Sequence, residues 1–126
     1  MPLLARYDLT AARAWSRDSL VGREPSMWRY RELMPLLPGD EPVTLGEGLT
    51  PLLHARRLGR SLGLERLFIK DESLNPTNSF KARGQSAAIT RARALGATTI
   101  ALPTAGNAGN AAAAYAAAAG LECQVF

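Results

Sequence analysis

The stretch Asn75-Pro76-Thr77-Asn78-Ser79-Phe80-Lys81-Ala82-Arg83-Gly84 sets a lysine directly after a turn and at the start of a predicted helix. Proline fixes φ and asparagine tolerates left-handed geometry, so residues 75–78 carry turn chemistry. Ser79 to Leu95 then has helical spacing, with Phe80, Ala87, Ala88, Ala92 and Leu95 available to a buried face and Gly96 to end it. Thr98 to Leu102 is a β-branched strand halted by Pro103. A second polar loop, Pro103-Thr104-Ala105-Gly106-Asn107-Ala108-Gly109-Asn110, leads into an alanine-rich helix over Ala108 to Ala119, closed by Gly120. Glu122 to Phe126 is a further strand.

Upstream, Arg66 to Lys70 is a strand candidate and Ala55 to Ser61 a short basic helix stopped by Gly63. Residues 39–51 form a turn-rich connector. Before it, Leu9 to Leu20 has helical periodicity that Asp8 or Thr10 can cap, and Trp28 to Leu37 is a second short helix with Trp28, Leu33, Leu36 and Leu37 as core contacts. Pro25, Pro35 and Pro38 interrupt this region. The organisation is therefore a helical N-terminal extension over 1–40, followed over 41–126 by part of an α/β catalytic domain. Strands alternating with helices predict a partial open, mostly parallel sheet with flanking helices. Three short strands leave such a sheet unfinished, with an exposed edge and an apolar face.

Composition narrows the function classes. The net charge of +4 comes from 15 basic and 11 acidic side chains. Arg56, Arg57, Arg60, Arg83, Arg91 and Arg93 are spread out without interleaved aromatic residues, which speaks against nucleic-acid binding. No apolar run approaches the roughly 20 residues of a membrane span, and no secretory pattern opens the chain, so a soluble, cytoplasmic protein is expected. Cys123 is the single cysteine and reads as a small buried strand residue. His54 is the single histidine, and without a partner it reads as a polar loop or strand-end residue; no metal site is expected.

The two loops carry the chemistry. On spacing alone Lys81 also fits a solvent-facing helix lysine. A lysine at a helix start feels the positive end of the macrodipole, which favours the neutral amine a nucleophile needs. In open α/β sheets ligands bind beyond the carboxyl ends of strands, where Thr104 to Asn107 deliver the chain to a helix N-terminus. Consecutive N–H groups and the helix dipole make an anion site there. Gly106 and Gly109 permit close approach, and Asn107 offers a neutral hydrogen-bonding group. Gly106-Asn107-Ala108-Gly109 is neither a dinucleotide fingerprint nor a Walker A loop. A lysine on a rigid turn facing such a loop suits an enzyme that holds an aldehyde cofactor and clamps its substrate.

These residues resemble the pyridoxal-phosphate enzymes of the tryptophan-synthase-β fold type (fold type II), and within them the threonine synthases. The matching stretches are Leu45-Gly46-Glu47-Gly48-Leu49-Thr50-Pro51-Leu52, then Lys70-Asp71-Glu72-Ser73-Leu74-Asn75-Pro76-Thr77 running into Ser79-Phe80-Lys81, and Ala105-Gly106-Asn107-Ala108-Gly109. The resemblance implies that Lys81 forms the Schiff base with pyridoxal 5'-phosphate, that Phe80 packs beside the cofactor, and that Asn107 bonds its ring hydroxyl. It implies that Thr104, Ala105, Gly106 and Asn107 hold the carboxylate of a small amino-acid substrate, O-phospho-L-homoserine, which is converted with water to L-threonine and phosphate. It further implies a homodimer in the full-length form.

Asn78 replaces a frequent glycine, and Asn is the best substitute for it in a left-handed turn. Lys81-Ala82-Arg83-Gly84 replaces Lys-Asp-Arg-Gly and is similar also to serine/threonine dehydratases; Asn110 stands where a small residue is usual. A dehydratase, a β-replacement synthase and a truncated non-catalytic relative remain as alternatives. Family members are longer, and the Gly-rich loop for the cofactor phosphate is not among these residues, so the chain alone is expected to leave a cofactor site incomplete and to be inactive.

Overall fold

Two small sheets and two long helices organise the computed structural model, which describes residues 6–13, 15–104 and 106–126. The elements are α1 (Leu9–Ala12), β1 (Leu52–His54), α2 (Arg56–Ser61), β2 (Phe68–Lys70), α3 (Lys81–Ala94), β3 (Thr99–Leu102), α4 (Asn107–Ala119) and β4 (Glu122–Val125), with 3₁₀ turns between them. The α/β class with flanking helices is the one expected from the sequence.

Strand pairing adds what the sequence did not reveal. β3 and β4 pair in parallel, Thr99 opposite Glu122 and Leu102 opposite Val125, with α4 as the crossover. β1 and β2 pair antiparallel, Leu52 opposite Lys70 and His54 opposite Phe68, in a separate two-stranded sheet. The six-residue α2 is too short to carry the chain back across a sheet face, so the link between β1 and β2 returns beside its own strand. Among the described residues the strands do not join into one parallel sheet. Leu52, Leu53, Phe68 and Ile69 are exposed on the antiparallel pair, and Val125 on the parallel one. His54 ends β1 and stacks on Phe68 with ring centroids 4.7 Å apart. Cys123 is half-buried in β4 against the core.

The core lies between α3 and α4. Val43, Ala82, Ile89, Ala111, Tyr115 and Ala116 form it, with Ile100, Ala119, Leu121 and Cys123 packed around. Alanine on α4 lets the two helices approach closely, so α3 must present small groups too: it buries Ala82, Ser86, Ile89 and Thr90. This corrects the expected face. Phe80 is 58% exposed and Leu95 is 72% exposed. The true face has helical spacing, but Ser86 and Thr90 disguise it, their hydroxyls being satisfied internally. Thr90 Oγ1 accepts from the Val43 N–H at 2.8 Å.

The N-terminal segment is less helical than expected. α1 covers only four residues, with the Thr10 N–H bonded to Asp8 Oδ1 at 2.9 Å, and a separate 3₁₀ turn follows at Asp18–Leu20. Met27–Leu33 is 3₁₀ rather than α, kinked at Tyr30 and capped by Ser26. Trp28 is buried as expected, whereas Leu33 and Leu37 face solvent. Met27 N–H donates to the Glu47 carbonyl at 2.7 Å, which ties this segment to the connector. A methyl on Gly48, at φ +113°, would lie 2.6 Å from that Met27 nitrogen, so the contact requires glycine.

Candidate active site

Asn75, whose side chain is buried, opens the turn that presents the lysine. Its Oδ1 accepts from the Gly48 N–H at 3.1 Å, and its Nδ2 donates to Glu72 Oε2 at 2.9 Å. Thr77 and Asn78 then both take left-handed backbone, at φ 62° and 54°. Asparagine was expected there; a β-branched threonine beside it is a strained choice. Thr77 Oγ1 is buried without a hydrogen-bond partner. The strain is over-determined by what surrounds it: the turn packs against both α3 and α4.

Lys81 is the first residue of α3, and its N–H bonds Ser79 Oγ at 3.3 Å. Its side chain is exposed, and Nζ sits 4.6 Å from the centroid of the Phe80 ring. The chain has two lysines, and they are held differently. Lys70 Nζ donates to the Thr50 carbonyl. Lys81 Nζ has no carboxylate or carbonyl partner among the described residues, so its amine is open to a ligand.

Behind the lysine, one ion pair braces the turn against the helix. Arg83 donates to Glu72 through Nε at 2.6 Å and Nη2 at 2.8 Å. Thr50 Oγ1 adds a bond of 2.6 Å to the same carboxylate. The Arg83 guanidinium, then Thr50 and Asn75, hold the Glu72 carboxyl at about 2, well below its usual range. The pair occupies Arg83, the third residue of α3, which leaves Lys81 the cation facing outward at the helix start.

The second loop meets the first through the helix pair. Asn107 is the first residue of α4 and is exposed. Thr104 N–H donates to the Phe126 carbonyl at 3.0 Å, and Gly106 N–H to Thr104 Oγ1 at 3.4 Å. Ala105 lies outside the described residues. A methyl on Gly109 would come within 2.9 Å of both Thr104 Cγ2 and Val125 Cγ1, so glycine there lets α4 start close to β4. Thr104, Gly106 and Asn107 thus lead into the N-terminus of a 13-residue helix, at the carboxyl end of β3, and Lys81 begins the helix packed alongside.

A third residue, Glu47, stands in the first matching stretch without a role assigned from the sequence. It is fully buried. Trp28 Nε1 donates to its Oε1 at 2.8 Å and Ser86 Oγ lies 2.6 Å from the same oxygen, while Tyr115 OH and the Leu45 N–H donate to Oε2 at 2.5 and 3.0 Å. Burial opposes the charged form, but Ser86, Tyr115 and the Leu45 N–H outweigh it and keep the carboxyl below its ordinary value. The same burial, with Glu47 beside it, pushes the Tyr115 phenol well up. Its signals in the sequence are its place in the first matching stretch and the two glycines that flank it.

A lysine open at the start of α3, with α4 packed against that helix in an α/β frame, is the arrangement the site presents. The chain belongs to the pyridoxal-phosphate dependent enzyme family, whose profile matches residues 43–126. Within that class it is similar to threonine synthases: 44% identical over 120 residues to that of Methanosarcina acetivorans, covering 95% of this chain and 29% of the relative. The threonine synthase of Methanocaldococcus jannaschii is 40% identical over 111 residues, 88% of this chain and 27% of the relative. That of Mycobacterium leprae is 46% identical over 97 residues, 77% of this chain and 27% of the relative. The resemblance carried by the motifs is thus the one the comparisons find, and the chain spans under a third of the length of these curated relatives. No helix among the described residues is long and apolar enough to cross a membrane.

Proposed function

We propose that this chain supplies the lysine-bearing part of a threonine synthase, which converts O-phospho-L-homoserine and water to L-threonine and phosphate with pyridoxal 5'-phosphate held on Lys81. One observation carries the reading: of the two lysines, Lys81 alone presents an amine free of carboxylate and carbonyl partners among the described residues, at a helix start and beside an exposed aromatic ring. These residues fit the cofactor. An accessible amine can hold its aldehyde, and Phe80 offers a face for its ring.

When bound, pyridoxal phosphate supplies an electron sink for carbanions next to the substrate nitrogen. The chain's own residues do the rest. Asn107 gives a neutral amide donor to an oxygen on the cofactor ring. Thr104, Gly106 and Asn107, backed by the positive end of α4, receive the substrate carboxylate, together with Ala105, which lies between them in sequence. Lys81 Nζ would hold the cofactor aldehyde and would carry protons between substrate carbons.

The test is phosphate release from O-phospho-L-homoserine by the longest reading frame that contains this chain, with Lys81→Ala as the control. Threonine formation that vanishes in the variant supports the reading. Turnover of serine or threonine to an oxo acid, with O-phospho-L-homoserine inert, overturns the choice of substrate.

A further inference from the structure

Glu47 is a carboxylate with no solvent contact and no basic side chain bonded to it, a costly arrangement that persists only when every lone pair is met. Its donors come from four separate places. Trp28 belongs to the N-terminal segment, Leu45 to the connector, Ser86 to α3 and Tyr115 to α4. Ser86 lies five residues beyond Lys81, and Tyr115 eight beyond Asn107, so each bond reaches a helix within about two turns of its functional end. Ser86 Oγ also lies 2.7 Å from the Val43 carbonyl, and Trp28 Nε1 lies 2.9 Å from Ser86 Oγ, which closes the network.

Apart from Ile89 and Tyr115, the side chains these two helices bury are small, and small side chains slide past one another more readily than interlocked large ones. A charge bonded to both removes that freedom, because shifting either helix by an ångström breaks a bond to a buried carboxylate. We infer that Glu47 is a positioning residue of the proposed site: it fixes α3 against α4 and so sets Asn107 relative to Lys81. This rests on the assignment of Lys81 and Asn107 made above. Through Trp28 it also makes the N-terminal segment part of the site's support.

The test uses the rate at which pyridoxal 5'-phosphate, trapped with borohydride, labels Lys81, with Lys70 in the same chain as internal control. Glu47→Gln keeps the size but turns an amide N–H₂ toward existing donors. The expected result is a chain folded by circular dichroism in which Lys81 labels about 10- to 100-fold more slowly, the scale of a misplacement near 1 Å, while Lys70 is unchanged. In an Asn107→Ala background the same substitution should add no further loss, since the placement of Asn107 is what Glu47 provides. Unchanged Lys81 labelling in folded Glu47→Gln, or a full additional loss in the Asn107→Ala background, overturns the proposal. If Glu47→Gln does not fold, Tyr115→Phe is compared in the two backgrounds under the same criteria. Absent Lys81 labelling in the native chain would instead strike the site assignment itself.

Discussion

Tyr115 on α4 and Glu47 in the connector meet across 2.5 Å, phenol to carboxylate, with both groups closed to solvent. The loop reaches this depth because Gly46 and Gly48 flank Glu47 at φ +89° and +113°, conformations that side-chain-bearing residues rarely take. The glycines turn the backbone, the carboxylate points inward, and three donors from distant parts of the chain converge on it beside the nearby Leu45 N–H.

Tyr115→Phe removes one of those donors and leaves the carboxylate short of a partner. The expected loss of stability is about 1.5–3 kcal/mol, as for hydrogen bonds to charged groups. Denaturant titration would read it as a lower midpoint with an unchanged slope. A shift under about 0.5 kcal/mol would mean that water replaces the phenol.

Thr77→Asn should stabilise the chain. Thr77 holds φ 62° with its hydroxyl buried and unpaired, whereas asparagine tolerates left-handed backbone. A gain of about 0.5–1 kcal/mol is expected from relief of part of that strain, visible as a higher melting temperature. A lower one would show that Thr77 makes packing contacts worth more than the strain.

Glu72 gives the chain an acid-sensitive brace. Paired with Arg83, its carboxyl ionises at about 2 when folded, against 4.5 unperturbed. Its stabilisation is therefore complete above pH 4.5 and drains away as the pH falls toward 2. The pair is about one-third exposed, so solvent screening limits the effect to about 1 kcal/mol. Glu72→Gln should flatten the fall in stability over that window; parallel curves for the two proteins would remove the pair from the account.

Asn107→Ala should slow the attachment of the cofactor to Lys81, as Glu47→Gln does, yet leave it attached at equilibrium and slow turnover by about 10- to 1,000-fold, the range for losing one placed donor. Absorbance of the bound cofactor together with steady-state kinetics separates the two effects. Unchanged kinetics would take Asn107 out of the site.

Local signals wrote much of this fold into the sequence. Gly96 and Gly120 end α3 and α4 at positive φ, as their positions after periodic runs predict, and Lys81 and Asn107 fall at the helix starts. The elements that escaped reading depend on distant partners. β1 is three residues long and exists through its ladder with β2. The 3₁₀ form of Met27–Leu33 goes with its tether to the Glu47 carbonyl. Glu47 finds Trp28, Ser86 and Tyr115 at 19, 39 and 68 residues' distance, and no window of sequence spans those separations. The buried face of α3 was misread for a related reason: Ser86 and Thr90 look like surface residues until their partners on other segments are in place.

Peptide mapping after borohydride reduction of the chain with pyridoxal 5'-phosphate addresses the central claim most directly, because only two lysine side chains compete. The account predicts one adduct, on Lys81, with Lys70 unmodified while its amine stays bonded to the Thr50 carbonyl. Equal labelling of Lys70 and Lys81, or labelling of Lys70 alone, would contradict it and remove Lys81 from its place as the cofactor lysine.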